Sequence, residues 1–327
     1  MKNYRVSVVG GESLLGKEIR ETLRVSSYPL EVSLIGGDEE ETGRITEQAG
    51  EPVIITAMEQ TGLVTSDFVV LAGTELSSRK AWEMTGPGPG PFVIDATRVL
   101  EDVPSARVGG LPPHSPAIIA HPAAEVLSDF FRLIGGKLPV TRSVVNVFEP
   151  ASERGQAGID QLHKQTVNLF SFQPLPKDIF DDQIAYNMLP ALGEAAAPTL
   201  EQIELQIERH FATLAAAHPT PLIPSIRLVQ APVFHAYSMS VWLELESESG
   251  FEQIAAALTS DRVDVRTREE PAATNVTIAS EPGFAVGNIR QDRNHPRAWW
   301  LWIAADNLRI TAEATVRLIE QAVKGAA

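Results

Sequence analysis

Apolar positions in the first third of the chain come in short bursts separated by glycine-rich turns. Arg5 to Val9 alternates and is rich in valine, the pattern of a buried strand. Gly10-Gly11 follows. Leu15, Ile19, Thr22 and Leu23 then recur at helical spacing, and Glu31 to Ile35 reads as a second strand. A strand, glycine turn, helix and strand within about 30 residues open a doubly wound sheet. Further strands are expected at Val53–Ile55, Asp67–Ala72, Phe92–Asp95 and Ile118–Ala120. An irregular loop, Gly86-Pro87-Gly88-Pro89-Gly90-Pro91, lies among them. Pro122 suits a first helical turn, where its missing N–H costs nothing. Val126, Leu127, Phe130, Phe131 and Ile134 mark one apolar face before Gly135-Gly136 stops the helix.

From about Leu138 the period changes. Ser143 to Phe148, Ile226 to Phe234 and Trp299 to Ala305 read as strands. Met239, Val241, Leu243 and Leu245 alternate with Ser240, Trp242, Glu244 and Glu246, a half-covered antiparallel strand. Thr199-Leu200-Glu201-Gln202 is a capping box opening a long helix towards His210, and Thr311 is expected to cap a last helix carrying Val316, Ile319 and Val323. The pattern predicts an α/β protein: a doubly wound dinucleotide-binding domain over 1–130 with 307–327, and a second α+β domain over 131–306.

Composition narrows the chemistry. The 327 residues are 44% hydrophobic and 21% charged, enough for two cores. There is no cysteine, which excludes disulfides, zinc–thiolate sites and any thiol nucleophile. A net charge of −15 repels a phosphate backbone, so no nucleic-acid partner is expected. No signal-like leader and no run of about 18 apolar residues is present, so the expectation is a cytoplasmic protein with no membrane partner.

The first turn, Gly10-Gly11-Glu12-Ser13-Leu14-Leu15-Gly16, has the outline of a site where backbone N–H groups meet a pyrophosphate. Ser13 stands where the close-approach glycine belongs. Its hydroxyl could bond a phosphate while its Cβ takes up space, and Glu12 adds negative charge. The second strand runs into Asp38-Glu39-Glu40-Glu41, which could bind a ribose hydroxyl and would repel a 2′-phosphate. Dinucleotide binding is therefore expected to be weak or vestigial, with NAD acceptable and NADP disfavoured, and a purely structural turn stays open beside that. Ser77-Ser78-Arg79-Lys80 has a Ser-x-x-Lys spacing without supporting motifs, and Asn275-Val276-Thr277 is a sequon in form only. His114 and His121 lack a third ligand at metal spacing, so no metal is expected.

Several phrases together resemble aspartate-semialdehyde dehydrogenases over nearly the whole chain. Ile118-Ile119-Ala120-His121-Pro122 is similar to I-I-A-N-P, and Gly155-Gln156-Ala157-Gly158-Ile159-Asp160-Gln161-Leu162 to G-K-A-G-M-E-E-L. Tyr186-Asn187-Met188-Leu189-Pro190 is similar to F-N-V-I-P, and Ala231-Pro232-Val233-Phe234 to V-P-V-F. Leu301 to Arg309 is similar to L-W-V-V-A-D-N-L-R, which places Asn307 with the cofactor-binding set. The functional positions depart from the family in turn. The attacking cysteine aligns with Ala124, a glutamine with Glu149, and the general acid/base histidine with Tyr237, beside Ser238. The carboxylate-binding arginine aligns with Gln230 and a phosphate-binding arginine with Glu101, while the amine-binding glutamate persists as Glu208.

The resemblance thus implies a protein of this family without its nucleophile or base, similar to the cysteine-lacking Usg paralogues. No catalytic residue is expected at the vestigial positions Ala124, Glu149, Gln230 and Tyr237. Two readings stay open: a pseudoenzyme acting by binding or as a dimeric scaffold, with an unknown protein partner, or an NAD-linked oxidoreductase acting on an aldehyde or keto acid through Tyr237, Glu149 and His121. The family also implies a homodimer paired through the second domain.

Overall fold

The computed structural model describes residues 3–37, 41–48, 50–86, 90–113, 115–216, 218 and 222–326. The chain divides into two compact units, Met1–Ala120 with Thr311–Ala327, and His121–Ile310.

The first unit is a six-stranded parallel sheet. Its strands are β1 (Tyr4–Val9), β2 (Leu30–Ile35), β5 (Phe68–Leu71), β6 (Phe92–Asp95), β7 (Arg107–Val108) and β8 (Ala117–Ile118), in the order β2-β1-β5-β6-β8-β7. Val6, Val8, Val70 and Ile94 line one face. There they pack with Ile19 and Leu23 of α1 (Leu14–Arg24) and with Ile319 and Val323 of α8 (Asn307–Ala326). Val9, Val69, Leu71 and Val93 line the other, packing with Leu63 of α2 (Gln60–Val64) and Ala81 of α3 (Glu75–Thr85). Helices on both faces make the sheet doubly wound and explain why its strands are apolar throughout. Each fully buried Ile, Leu or Val contributes roughly 1.5–3 kcal/mol.

The expected strand at Val53–Ile55 is not in this sheet. It is β4 (Glu51–Ile54), paired antiparallel with β3 (Ile45–Gln48) in a separate hairpin. The Ser-x-x-Lys residues lie in α3, where Ser77 and Ser78 are buried. Residues 38–40, 87–89 and His114 lie outside the described residues.

The second unit is a mixed sheet of β9 (Val140–Glu149), β10 (Ser225–Gln230), β11 (Tyr237–Leu245), β12 (Val263–Val265), β13 (Phe284–Gln291) and β14 (Ala298–Ala305), in the order β10-β9-β11-β14-β13-β12. Both edge pairs, β10–β9 and β12–β13, are parallel, while the central pairs are antiparallel. A parallel edge needs a crossover, and α5 (Gly155–Phe170) and α6 (Leu200–Ala215) occupy the connection from β9 to β10. Val145, Val147, Met239, Val241, Leu301 and Ile303 face α4 (Pro122–Gly135), α6 and α7 (Phe251–Leu258) in the main core. The opposite face carries Val144, Phe148, Trp242, Trp300 and Trp302 and is only partly covered.

Two local expectations are corrected. The strand expected to run to Phe234 ends at Gln230, because Pro232 cannot extend a ladder. The last helix is capped by Asp306, not Thr311. Its carboxylate accepts the N–H groups of Leu308 (2.9 Å) and Arg309 (3.0 Å), and Thr311 sits inside the helix.

Candidate functional site

In the first unit the strand ends bring three turns together. Gly10 has φ +74°, and a Cβ there would lie 2.3 Å from the Cα of Gly73, in the turn after β5. A Cβ on Gly16 would lie 2.2 Å from the Gly10 carbonyl oxygen. Both glycines are required by close backbone approach, whatever binds there. Ser13 is the N-cap of α1. Its hydroxyl accepts the Gly16 N–H (2.8 Å) and donates to the Ala72 carbonyl (2.6 Å). In this arrangement the Ser13 hydroxyl gives its proton to backbone.

Glu12 is paired with Lys17 at 3.3 Å and with the buried guanidinium of Arg20 at 2.5 Å, so the turn is not left with a bare negative charge. Arg20 also donates to the Gly11 carbonyl (3.2 Å), to Gln48 (2.8 Å) and to the Glu47 carbonyl, tying the turn to the β3–β4 hairpin. Hydrogen bonds from Thr46 and Arg20, with the Lys17 charge, hold the Glu12 carboxyl below its usual range although burial pushes the other way. Leu14 begins the helix, and Gly11 is buried beside Leu34. Of the acidic run, Asp38, Glu39 and Glu40 lie outside the described residues. Glu41 accepts the Gly37 N–H (2.6 Å). A cavity of about 620 Å³, lined by Trp82, Phe92, Val93 and Ser115, sits where β6 begins. That is the opposite end of the strand from the turns, away from where such sheets bind ligands.

In the second unit, parallel β9 and β10 and antiparallel β11 carry Glu149, Gln230 and Tyr237 to one end of the sheet. All three are wholly buried. The Gln230 amide donates to the carbonyls of Glu149 (2.9 Å) and Ala231 (3.2 Å), and the Glu149 carboxylate lies 3.8 Å from Nε of Arg154. Ala124 lies in the first turns of α4, wholly buried in the same apolar cluster as Tyr237.

His121 caps α4. Its Nδ1 accepts the Ala123 N–H (3.3 Å), so the ring proton of a neutral imidazole sits on Nε2. That nitrogen is 3.5 Å from the Tyr237 hydroxyl and 3.9 Å from the Glu153 carboxylate. The His121 backbone N–H donates to Nδ1 of His210 (2.8 Å). Asn307 is buried and engaged: its amide donates to Glu153 (2.8 Å), and its oxygen accepts from Ser152 (3.0 Å) and the Ala236 N–H (3.3 Å). Ser238 donates to Asn275 (3.0 Å), whose own amide is given to the carbonyls of His235 and Ala236, so the sequon asparagine is a structural residue. Glu101 and Glu208 are half-buried.

The arrangement sets a phenol at 3.5 Å and a carboxylate at 3.9 Å from one imidazole nitrogen. Ala124 brings a methyl group and no thiol. Sequence reasoning missed Glu153, Arg154, His210 and Arg20. The first two sit in and beside a short 3-10 turn, Ala151–Arg154, which has no period to read, and Arg20 is on a helix face that pattern alone assigns to solvent. Among the described residues no group of three His, Asp or Glu side chains could hold a metal, and no helix is long and apolar enough to cross a membrane.

Residues 133–310 match the family model described as the semialdehyde dehydrogenase dimerisation domain. The chain is 25% identical over 342 residues to the aspartate-semialdehyde dehydrogenase of Rickettsia bellii, covering 99% of this chain and 98% of that one. Its fold is similar to that of a probable aspartate-semialdehyde dehydrogenase from Pseudomonas aeruginosa, with a TM-score of 0.86, 23% identity and full coverage of both chains. It also resembles the Candida albicans enzyme solved with NADP, with a TM-score of 0.65 and 12% identity over 99% of each chain. A match over more than half the chain, on a fold of a doubly wound sheet and a mixed sheet, places this protein in the semialdehyde dehydrogenase family.

Proposed function

We propose that this chain is a non-catalytic, homodimeric member of the family, of the Usg type, acting in the cytoplasm by binding. The observation that carries the reading is chemical. The chain has no cysteine, and the residue aligned with the family's nucleophile, Ala124, is a buried methyl group in the core. A methyl cannot form a thiohemiacetal. Gln230 supports the same reading, since its neutral amide, held by two backbone carbonyls, offers no charge to a carboxylate. The family model's own description and the partly covered aromatic face of the second sheet support pairing between two copies through that unit. The glycine turn keeps the packing of a dinucleotide site. NAD is the cofactor it would accept and NADP the one it would repel, both bound weakly, with Gly10, Gly11, Ser13, Leu14 and Gly16 nearest.

A second reading keeps redox chemistry, favoured by His121 Nε2 lying between the Tyr237 hydroxyl and Glu153. Hydride transfer to a ketone needs a proton donor but no thiol. One set of assays separates the two. The purified chain with aspartate semialdehyde, phosphate and NADP is expected to produce no reduction above a buffer blank, and Ala124→Cys alone is expected to stay inactive. NADH consumption with an aldehyde or keto acid, abolished in Tyr237→Phe, would establish the second reading and overturn the first.

A further inference from the structure

The end of α5 and the segment from it to α6 display aromatic side chains, two of them on a backbone that resists displaying them. Phe172 is 96% exposed, Phe170 72% and Tyr186 68%. The Phe170 and Tyr186 rings meet edge to face with centroids 5.9 Å apart. Phe172 and Tyr186 also have φ of 52° and 58°, in the left-handed region that bulky side chains avoid. Such conformations persist only where the surroundings over-determine them.

The surroundings here are amide side chains of α5. Gln165, wholly buried, accepts the N–H groups of Ile184 (2.8 Å) and Ala185 (3.1 Å) and donates to the carbonyls of Pro176 (2.7 Å) and Asp182 (2.9 Å). Gln161 accepts the Ile179 N–H (2.7 Å), and Asn168 donates to the Pro174 carbonyl (2.7 Å). Beneath them Leu162, Phe180, Ile184 and Leu189 form a small core of their own. The exposed rings therefore stand on a rigid base.

The patch is continuous with the outer face of the mixed sheet. Leu189 and Gln230 exchange backbone hydrogen bonds at 3.0 Å, adding a residue beyond edge strand β10. Gln230 points into the core, so side-chain alternation puts Leu189 on the same side and its neighbours Met188 and Pro190 on the outer face. Met188 is 51% exposed. On that face the row passes to Val229 and then Phe148, whose ring stacks on Trp302 at 6.1 Å.

We infer that Phe170, Phe172, Tyr186 and Met188 dock on a second copy of this chain, extending the sheet-face interface past the β10 edge. The inference rests on the dimer reading above and deepens it. Continuity with the face of a dimerisation domain selects the occupant. Rigid exposed aromatics are the residues that dominate such contacts, because little rotamer and backbone freedom remains to be lost.

The test uses the full chain and the double variant Phe172→Gly/Tyr186→Gly. Glycine adopts these φ values without strain, so the protomer is expected to keep its far-UV circular dichroism spectrum and protease resistance while losing both rings. Sedimentation equilibrium is expected to show a dimer dissociation constant at least tenfold weaker than that of the unmodified chain. A dimer of unchanged affinity in the double variant would overturn the inference and leave the dimer reading standing. An unmodified chain that sediments as a monomer would overturn both.

Discussion

Arg20 shows how much one residue can decide. It sits on α1, with its guanidinium linking Gly11, Glu12, Glu47 and Gln48. Replacing it with methionine keeps much of the stem but removes the donor shared by the Gly11 and Glu47 carbonyls and Gln48, and leaves Glu12 to Lys17 and Thr46. Arg20→Met is expected to cost about 2–3 kcal/mol, read from denaturant unfolding. Glu320 is a second case. It accepts the N–H of Ser27 (2.9 Å) and the hydroxyls of Ser26 (2.8 Å) and Ser27 (2.9 Å). Burial alone would raise its pKa, but these three donors outweigh it and hold the carboxyl below its usual 4.5. A carboxyl depressed in the folded state contributes stability above its unfolded pKa and loses it as pH falls through the folded value. Stability is therefore expected to decline with acid below about pH 4.5, and Glu320→Gln is expected to flatten that slope in melts taken between about pH 3 and 5. Neither role was legible from sequence. Each depends on donors or acceptors that are brought close only by the fold.

At the scale of elements, the strongest local signals were also the most faithful. The turn after β1 was visible because Gly10 and Gly16 bracket it, and the structure explains both by backbone contact. The capping box at Thr199 is present with both of its bonds, Thr199 N–H to Gln202 (2.8 Å) and Gln202 N–H to Thr199 (3.2 Å). Thr199→Ala is expected to cost about 1 kcal/mol, measured as a shift in the unfolding midpoint. Where cap chemistry competes, pattern misleads. Thr311 and Asp306 are both good caps, and only the path of the chain out of β14 selects Asp306. The strand at Val53 was similarly readable as a strand but not as a hairpin member, because pairing partners are not encoded in period.

For the whole molecule, charge opposes assembly. Two copies of a chain at −15 repel, so association between them must come from apolar area such as the face holding Trp242, Trp300 and Trp302. The indole N–H groups of Trp242 (3.1 Å) and Trp300 (2.9 Å) share the carboxylate of Asp292, which orients both rings without withdrawing them from the surface. Raising salt screens the repulsion and leaves burial intact. The proposed dimer is expected to tighten between about 50 mM and 500 mM salt in sedimentation equilibrium, and weakening over that range would point to an interface held by ion pairs.

The sequence by itself determined the doubly wound opening, the two-domain α/β class, the family and the absence of a thiol. The fold class follows from local period and glycine and proline chemistry, the missing thiol from residue identity, and the family from the resemblance of several phrases to known motifs. The tertiary structure alone decided that Ser13 spends its hydroxyl on Ala72, that Glu12 is neutralised by Arg20, and that His121, Tyr237 and Glu153 meet. It also decided that two aromatic residues stand outward at positive φ. The reason is common to all four. A side chain's chemistry depends on which partners reach it in three dimensions, and residues 116 apart, as His121 and Tyr237 are, carry no record of each other in a single sequence.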